Sequence, residues 1–368
     1  MSRAAAPHRR LKPQPLGIGM PLLVVAAEAL WLRTGRPHYR QLARKWARAT
    51  ALTFAIGAVS GTALSFELGL LWPRFMAFAG GIIGPAFVLE GYAFFLEAIF
   101  LGLYLYGWEK LSPRAHLAAG VAMAVSGMLS GVLVVAANAW MQQPAGFVLV
   151  DGRAAEVSAL APFLGAVSAG NVRVAGGVVS VDGTAAWLRP LSLATGGFAL
   201  AVCAYLAAVY LANETAGELR DDFRRRALWA GTAVVAMPAL MLPLLRVHAP
   251  HLWRGLLSAR AAPVLAVGVA AALLSGWALW RRRPRLARMA TVAQTACLLA
   301  GWGIAQHPYL VYPDVTVHAA ASGPATLRFV LWSTPFGMAL LVPSLWWLFR
   351  VFKGPAMGWA DTDERAAP

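Results

Sequence analysis

Acidic residues and cysteines are both scarce in this chain. Its 368 residues include 16 Asp and Glu and two cysteines, and charged residues of either sign make up 13%. Soluble globular proteins carry roughly 25% charged residues. Apolar residues make up 59% of the chain, and its mean hydropathy is +0.60. Because so much apolar surface cannot be buried within the chain itself, the composition excludes an ordinary soluble protein and predicts one embedded in a lipid bilayer.

Other missing features narrow the chemistry. Cys203 and Cys297 lie in apolar runs, so we interpret them as small hydrophobic side chains and not as a disulfide or a metal site. The sequence contains no P-loop, no Gly-x-Gly-x-x-Gly after a strand, no Cys-x-x-Cys and no His-Glu-x-x-His. All seven histidines lie in tails or loops, or at the edges of apolar runs. This placement argues against a haem held between two histidines in the middle of the membrane.

Basic residues are in excess, with 32 Lys and Arg and a formal net charge of +16. In a soluble protein this excess would indicate nucleic-acid binding. Here the basic residues fall between long apolar runs, a pattern that indicates membrane topology. We therefore expect the lipid bilayer as a partner and no nucleic acid.

The apolar runs predict an all-α fold, a polytopic transmembrane helix bundle of about nine spans in two bundles. A helix that crosses the hydrocarbon core needs about 20 mostly apolar residues. The predicted spans are Gly17–Leu32, Ala49–Trp72, Gly81–Gly107, Leu117–Met141, Trp187–Asn213, Ala227–Leu245, Ala262–Trp280, Met289–Ala305 and Leu327–Phe349. The first and the eighth are the shortest.

Positive charge predicts the orientation. Basic clusters lie at 33–48, at Arg224–Arg226 and at Arg281–Arg285, and all three fall on one side if every span is real. Lys and Arg are enriched in cytoplasmic loops. We therefore predict that this side is cytoplasmic, that the N-terminus lies outside and that the C-terminus lies in the cytoplasm.

Two glutamates lie well inside one predicted span. Glu90 and Glu97 are seven residues apart, which is about two helical turns, so both carboxylates are expected on one helix face. Ionisable groups in hydrocarbon are costly and are functional candidates. The pair suits a proton relay, metal or haem ligation, or a cation path; the alternative is that it only bonds to neighbouring helices and holds the bundle together. Glu28 and Glu67 lie near span ends, where snorkelling or a local bond is expected.

The segment that holds these glutamates closely resembles subunit I of the cytochrome bd quinol oxidases. The resemblance rests on Leu89-Glu-Gly-Tyr-Ala-Phe-Phe-Leu-Glu97 within Gly84–Leu111, on Val135–Pro144 and on Leu30–Gly35. It runs from about residue 16 to about 157. The second half resembles subunit II instead, at Ala161–Arg173 and most clearly at Gly301–Asp314.

The resemblance implies a hybrid or fused chain. Residues 1–157 are the expected subunit I-like part with four transmembrane helices, residues 158–355 the subunit II-like transmembrane part, and residues 356–368 a cytoplasmic tail. It implies a multi-pass protein of the bacterial inner membrane that is a component of a terminal oxidase. The intact enzyme couples quinol oxidation to oxygen reduction and proton uptake.

The resemblance also implies the cofactors and the site. Haems of b and d type are expected, with Glu90 as the cofactor-binding and metal-ligating residue and Glu97 as the catalytic proton carrier. The family's first-helix haem-ligand histidine falls at Arg10, with His8 two residues away. Other haem ligands of subunit I and its quinol-binding loop are missing, which predicts impaired activity.

Three hypotheses remain open from the sequence. The chain is a bd-type oxidase component that uses haem and quinol, with or without a second oxidase subunit; or a haem-free membrane subunit or scaffold; or a proton conduit built on Glu90 and Glu97. Whether the chain is an enzyme by itself is left undecided.

Overall fold

The predicted helical architecture is confirmed. A computed structural model describes residues 19–142, 147–150, 153–156, 172–173, 189–215, 217–313 and 315–353. Its helices are α1 (Gly19–Thr34), α2 (Pro37–Leu71), α3 (Pro73–Tyr106), α4 (Pro113–Trp140), α5 (Pro190–Glu214), α6 (Gly217–His248), α7 (Pro250–Leu256), α8 (Ala262–Trp280), α9 (Pro284–Gln306), α10 (Val317–Ala320) and α11 (Pro324–Lys353). The predicted tail at 356–368 and the positions of His8 and Arg10 lie outside these residues.

Proline sets where most of these helices begin. Pro37, Pro73, Pro113 and Pro190 each occupy the first position of a long helix. Proline has no N–H to donate, and the first N–H of a helix has no intrahelical acceptor, so the residue is tolerated there. At α4 the Ser112 side chain also accepts a bond from the backbone N–H two residues after Pro113.

Seven helices are long and apolar enough to cross a membrane within the described part of the chain. They are α2, α3, α4, α5, α6, α8 and, over Pro324–Ser344, α11. The other two predicted spans coincide with α1, which is 16 residues long as described, and with α9. Each of the nine predicted spans therefore corresponds to a helix, and the count of nine crossings stays a prediction.

The described residues between 19 and 321 form one compact unit, and those between 322 and 353 belong to a second. Within the first unit α3 and α4 pack closely because α4 presents glycine to large α3 side chains. A Cβ at Gly120 would lie 2.7 Å from the Tyr104 ring, and one at Gly127 would lie 2.6 Å from Glu97 Oε1. Small residues let neighbouring membrane helices approach in this way. The second unit contains α11.

The three basic clusters lie at one end of the compact unit, as predicted from the number of spans between them. Arg36, before α2, pairs with Glu218 at the start of α6 at 3.5 Å. Asp221 on α6 pairs with Arg282, in the turn after α8, also at 3.5 Å. We call this the basic end. At the opposite end the Tyr312 backbone N–H donates to the Met141 carbonyl at 3.3 Å, which joins the ends of α4 and α9.

Short strands accompany the helices. Strands β1 (Phe147–Val150), β2 (Arg153–Glu156) and β3 (Val172–Arg173) form an antiparallel sheet in the order β2-β1-β3. Strands β4 (Tyr309–Val311) and β5 (Val315–Thr316) form an antiparallel pair. Both sheets belong to connections between helices and leave the fold class unchanged.

Candidate functional site

Both predicted site glutamates face α4. Glu90 lies at the middle of α3 and is half-buried, and its Oε1 accepts a 2.8 Å hydrogen bond from the Ser130 hydroxyl. Glu97 lies two turns further along α3 and is buried, with 8% of its surface exposed. Its carboxylate packs against Gly127. The expectation that the two carboxylates share a helix face is therefore met, since residues three positions apart on α4 contact them.

The contact between Glu97 and Gly127 shows how the buried carboxylate is accommodated. A Cβ on Gly127 would lie 2.6 Å from Oε1, 2.7 Å from Cδ and 2.9 Å from Oε2. Any other residue at position 127 would therefore displace the carboxylate. The absence of a side chain on α4 at this position creates the space that Glu97 fills.

A second buried acidic group was missed by the sequence analysis. Glu28 on α1 is 0% exposed and His116 in the first turn of α4 is 3% exposed. Their Oε1 and Nδ1 atoms are 2.6 Å apart, and His116 Nε2 lies 2.9 Å from the Tyr104 carbonyl oxygen. Of the two expectations for Glu28, snorkelling is excluded because the packed ends of α1, α3 and α4 enclose it, and the bond to a neighbouring residue is found, with His116.

The contacts of His116 fix how many protons the pair holds. A carbonyl oxygen can only accept, so Nε2 carries a hydrogen and donates it to Tyr104. The 2.6 Å separation then requires one further proton between Nδ1 and Glu28, because two lone pairs would repel at that distance. Whether that proton resides on nitrogen or on oxygen, the pair has no net charge. Because the pair has no net charge, the free-energy cost of removing it from water is lower than for an isolated charge.

An aromatic layer covers the pair at the basic end. The Trp108 ring centroid lies 4.1 Å from that of His116, and the Arg44 guanidinium lies 5.0 Å from the centroid of Trp108. Arg40 is placed similarly over Trp31, at 5.1 Å. The sequence did contain one indication of this pair: counting the predicted spans places Glu28 and His116 at the same side of the membrane.

The remaining described histidines lie at helix ends, as expected. At the opposite end His251 of α7 stacks on Tyr312, with ring centroids 4.7 Å apart, and meets the edge of Tyr309. Burial lowers the pKa of His251; a backbone hydrogen bond with Gln306 opposes this change, and the Arg254 charge adds to it. His251 is therefore biased towards its neutral form.

The haem that the resemblance implies would be held by protein side chains, and Glu90 is the described candidate. Glu90 lies in the middle of a membrane-spanning helix, and Ser130 holds one of its carboxylate oxygens in place. Within the described ranges no group of three or more His, Cys, Asp and Glu side chains could hold a metal ion. Among the described residues Glu90 is the carboxylate that would hold the haem, and this assignment stays a prediction.

The fold and the site together define a polytopic helical membrane protein with paired carboxylates between two packed spans. Comparison with known families identifies the class. The family model for cytochrome bd terminal oxidase subunit I matches residues 13–245, and the model for subunit II matches residues 149–352. The chain belongs to the cytochrome bd terminal oxidase family. It carries sequence of both subunits, and the two matches overlap between residues 149 and 245.

Individual relatives agree with the family. The chain is 33% identical over 141 residues to a cytochrome bd ubiquinol oxidase subunit 1 of Bacillus subtilis (strain 168), covering 38% of this chain and 30% of that one. It is 29% identical over 133 residues to a cytochrome bd-II ubiquinol oxidase subunit 1 of Escherichia coli (strain K12), covering 36% and 26%. The chain thus matches between a quarter and a third of the length of these relatives.

The fold is shared with a solved structure. The bd oxidase from Geobacillus thermodenitrificans superposes with a TM-score of 0.75 at 20% identity, covering 92% of this chain and 93% of that chain. At this level of identity the likeness establishes the fold alone. The predicted membrane bundle and the predicted family are both confirmed.

Proposed function

We propose that this chain is a component of a terminal oxidase that oxidises quinol, reduces oxygen at haem and takes up protons. The support is the pair of carboxylates between α3 and α4 in a chain of this family. Glu90 accepts from Ser130 at 2.8 Å, and Glu97 packs against Gly127. Charged groups inside a membrane are rarely retained without a function.

Glu90 is the proposed haem ligand. The bound haem would supply the electron-transfer and oxygen-binding chemistry that no side chain here can provide. The protein's contribution is orientation: the Ser130 hydroxyl occupies one lone pair of Oε1 and restricts rotation of the carboxylate. Oε2 would then be the oxygen that is available to hold the haem.

Glu97 is the proposed proton carrier. Its carboxylate lies two turns from Glu90 on the same face of α3, which is roughly 10 Å along the helix axis. A carboxyl group can accept a proton on one oxygen and release it from the other after rotation. Because Gly127 has no side chain, the carboxylate occupies the space that a Cβ at this position would take.

The organisation, location and partners are part of the proposal. Residues 1–157 serve as the subunit I-like part and residues 158–355 as the subunit II-like part; the subunit II match begins at residue 149, and the subunit I match continues to residue 245. The membrane is the bacterial inner membrane, with the basic end in the cytoplasm, the N-terminus outside and the C-terminus inside. Quinol is the electron donor, and a second oxidase subunit supplies the missing haem ligands.

The test uses the full chain in its native membranes and after purification. Visible absorption measures haem, and oxygen consumption with a reduced quinol measures activity. We expect haem bands that E90Q diminishes, and oxygen consumption that E97Q lowers at least tenfold without loss of haem. E67Q is the matched control, since Glu67 is an exposed carboxylate on the neighbouring α2.

Each alternative has its own outcome. A folded protein without haem bands contradicts the proposal and favours a haem-free subunit or scaffold. Proton flux that is independent of haem and abolished by E97Q would instead favour a proton conduit. Reporter proteins fused to the C-terminus test the orientation. A reporter that is active only on the outer side of the membrane would contradict the proposed cytoplasmic C-terminus.

A further inference from the structure

The turn between α8 and α9 holds three consecutive arginines in a fixed arrangement. The backbone N–H groups of Arg281, Arg282 and Arg283 donate to carbonyls in the last turn of α8 at 2.9, 3.2 and 2.7 Å. Arg282 has a positive φ of 55°, which is uncommon for a residue with a side chain. The turn is therefore defined by its own hydrogen bonds and does not depend on the arginine side chains.

The positive φ separates the three side chains. Arg282 pairs with Asp221 of α6 at 3.5 Å. Arg281 and Arg283 instead lie beside one indole, with guanidinium carbons 6.0 and 5.4 Å from the centroid of the Trp277 ring. Two like charges therefore converge on one tryptophan.

The nearby acids are already engaged. Asp221 also pairs with Arg224, at 3.4 Å, and Asp222 pairs with Arg225 and Arg226. Among the described residues no carboxylate pairs with Arg281 or Arg283. An anion bound by both guanidinium groups would supply the negative charge that these two arginines lack.

The position of the turn relative to the membrane indicates which kind of anion would bind to Arg281 and Arg283. The candidate span Ala262–Trp280 ends immediately before Arg281, and the side chains of Trp277 and Trp280 are 40% and 70% exposed. Tryptophan is enriched at the level of lipid headgroups. Guanidinium groups bind phosphate oxygens through two parallel hydrogen bonds. A lipid phosphate would lie at the depth of these two arginines.

We propose that Arg281 and Arg283, held beside Trp277, form a binding site for the phosphodiester of an anionic phospholipid. The aliphatic parts of the lipid extend along the exposed face of α8. Trp280, whose ring centroid lies 5.9 Å from the guanidinium carbon of Arg281, borders the site. This site is distinct from the paired glutamates and does not depend on the proposed oxidase activity.

The test measures which lipid the purified full chain retains. The protein is extracted from vesicles of equimolar phosphatidylglycerol and phosphatidylcholine, and bound lipids are counted by native mass spectrometry. R281Q and R283Q are each expected to lower the retained ratio of phosphatidylglycerol to phosphatidylcholine about fivefold, since one basic residue at an anionic surface contributes about 1 kcal/mol.

The matched control is R282Q, which removes the same charge from the same turn. Its guanidinium pairs with Asp221, so the ratio should change less than twofold. Equal loss in all three variants would show a general surface potential, and no loss in R281Q and R283Q would show no site; either result overturns the proposal. In a further arm inorganic phosphate competes with the lipid, and displacement at equal concentration would show that the site recognises free phosphate instead.

Discussion

The substitution of His116 by leucine tests the buried pair on which the ends of α1, α3 and α4 converge. Leucine fills a similar volume but cannot bond to Glu28 or to the Tyr104 carbonyl. Glu28 is 0% exposed, so its carboxyl group, having lost His116, cannot reach water unless the helix ends open. The Glu28 Oε1 contact of 2.6 Å and the Tyr104 contact of 2.9 Å are both lost.

The magnitude follows from this burial. Removing one partner of a buried hydrogen bond leaves the other group unsatisfied, which costs about 1–3 kcal/mol. We therefore expect H116L to lower the free energy of unfolding by about 1–3 kcal/mol. Replacing both residues by apolar ones removes the unpaired group, and such exchanges are often neutral. The double variant E28L/H116L should therefore be more stable than H116L.

The assay is equilibrium unfolding of the full chain in detergent micelles, followed by tryptophan fluorescence. A double-mutant cycle over Glu28 and His116 gives the coupling free energy directly. E67L serves as the control, because it removes an exposed carboxylate from α2. A loss of less than 1 kcal/mol in H116L, or strictly additive effects of the two substitutions, would refute the argument that the pair shares a proton in a dry interior.

Two further predictions concern Glu97 and His251. G127A should displace the Glu97 carboxylate and lower proton-coupled activity severalfold. The free energy of unfolding should change by less than about 1 kcal/mol, because the displaced atoms lie at the end of a flexible side chain. G102A is the control, since its Cβ would meet nothing within 4 Å, and equal activities of the two variants would contradict the prediction. The lowered pKa of His251 means that the unfolded chain binds its proton more readily, so the free energy of unfolding should fall as the pH drops below about 6.5. H251F keeps the stacking on Tyr312 and should flatten this decline in a pH series of unfolding midpoints, whereas an unchanged slope would show that other groups cause it.

The helices could be predicted because their signals are local. Runs of apolar residues fix where spans lie, and prolines such as Pro73 and Pro113 mark where helices begin. The same locality placed Glu90 and Glu97 on one face, since helical geometry alone relates residues seven apart. The number of spans between the basic clusters predicted that they lie at one end, and the ion pairs of Arg36 and Arg282 agree with this placement.

The partners of these residues could not be predicted because they are set by packing between helices. Nothing local distinguishes Gly127 from the other glycines of the chain. Its role depends on the rotation and depth of α4 relative to α3. Likewise Glu28 and His116 are 88 positions apart, and their bond depends on three helix ends meeting.

By itself the sequence determined the class of this protein. Its composition required a membrane, its apolar runs required helices, and the segment around Glu90 and Glu97 carried the family resemblance. Only the tertiary structure decided which acids lie in dry surroundings and what they touch. The physical reason is that hydrophobicity and helix geometry act over a few residues, whereas burial and hydrogen bonding of a side chain depend on neighbours from distant parts of the chain.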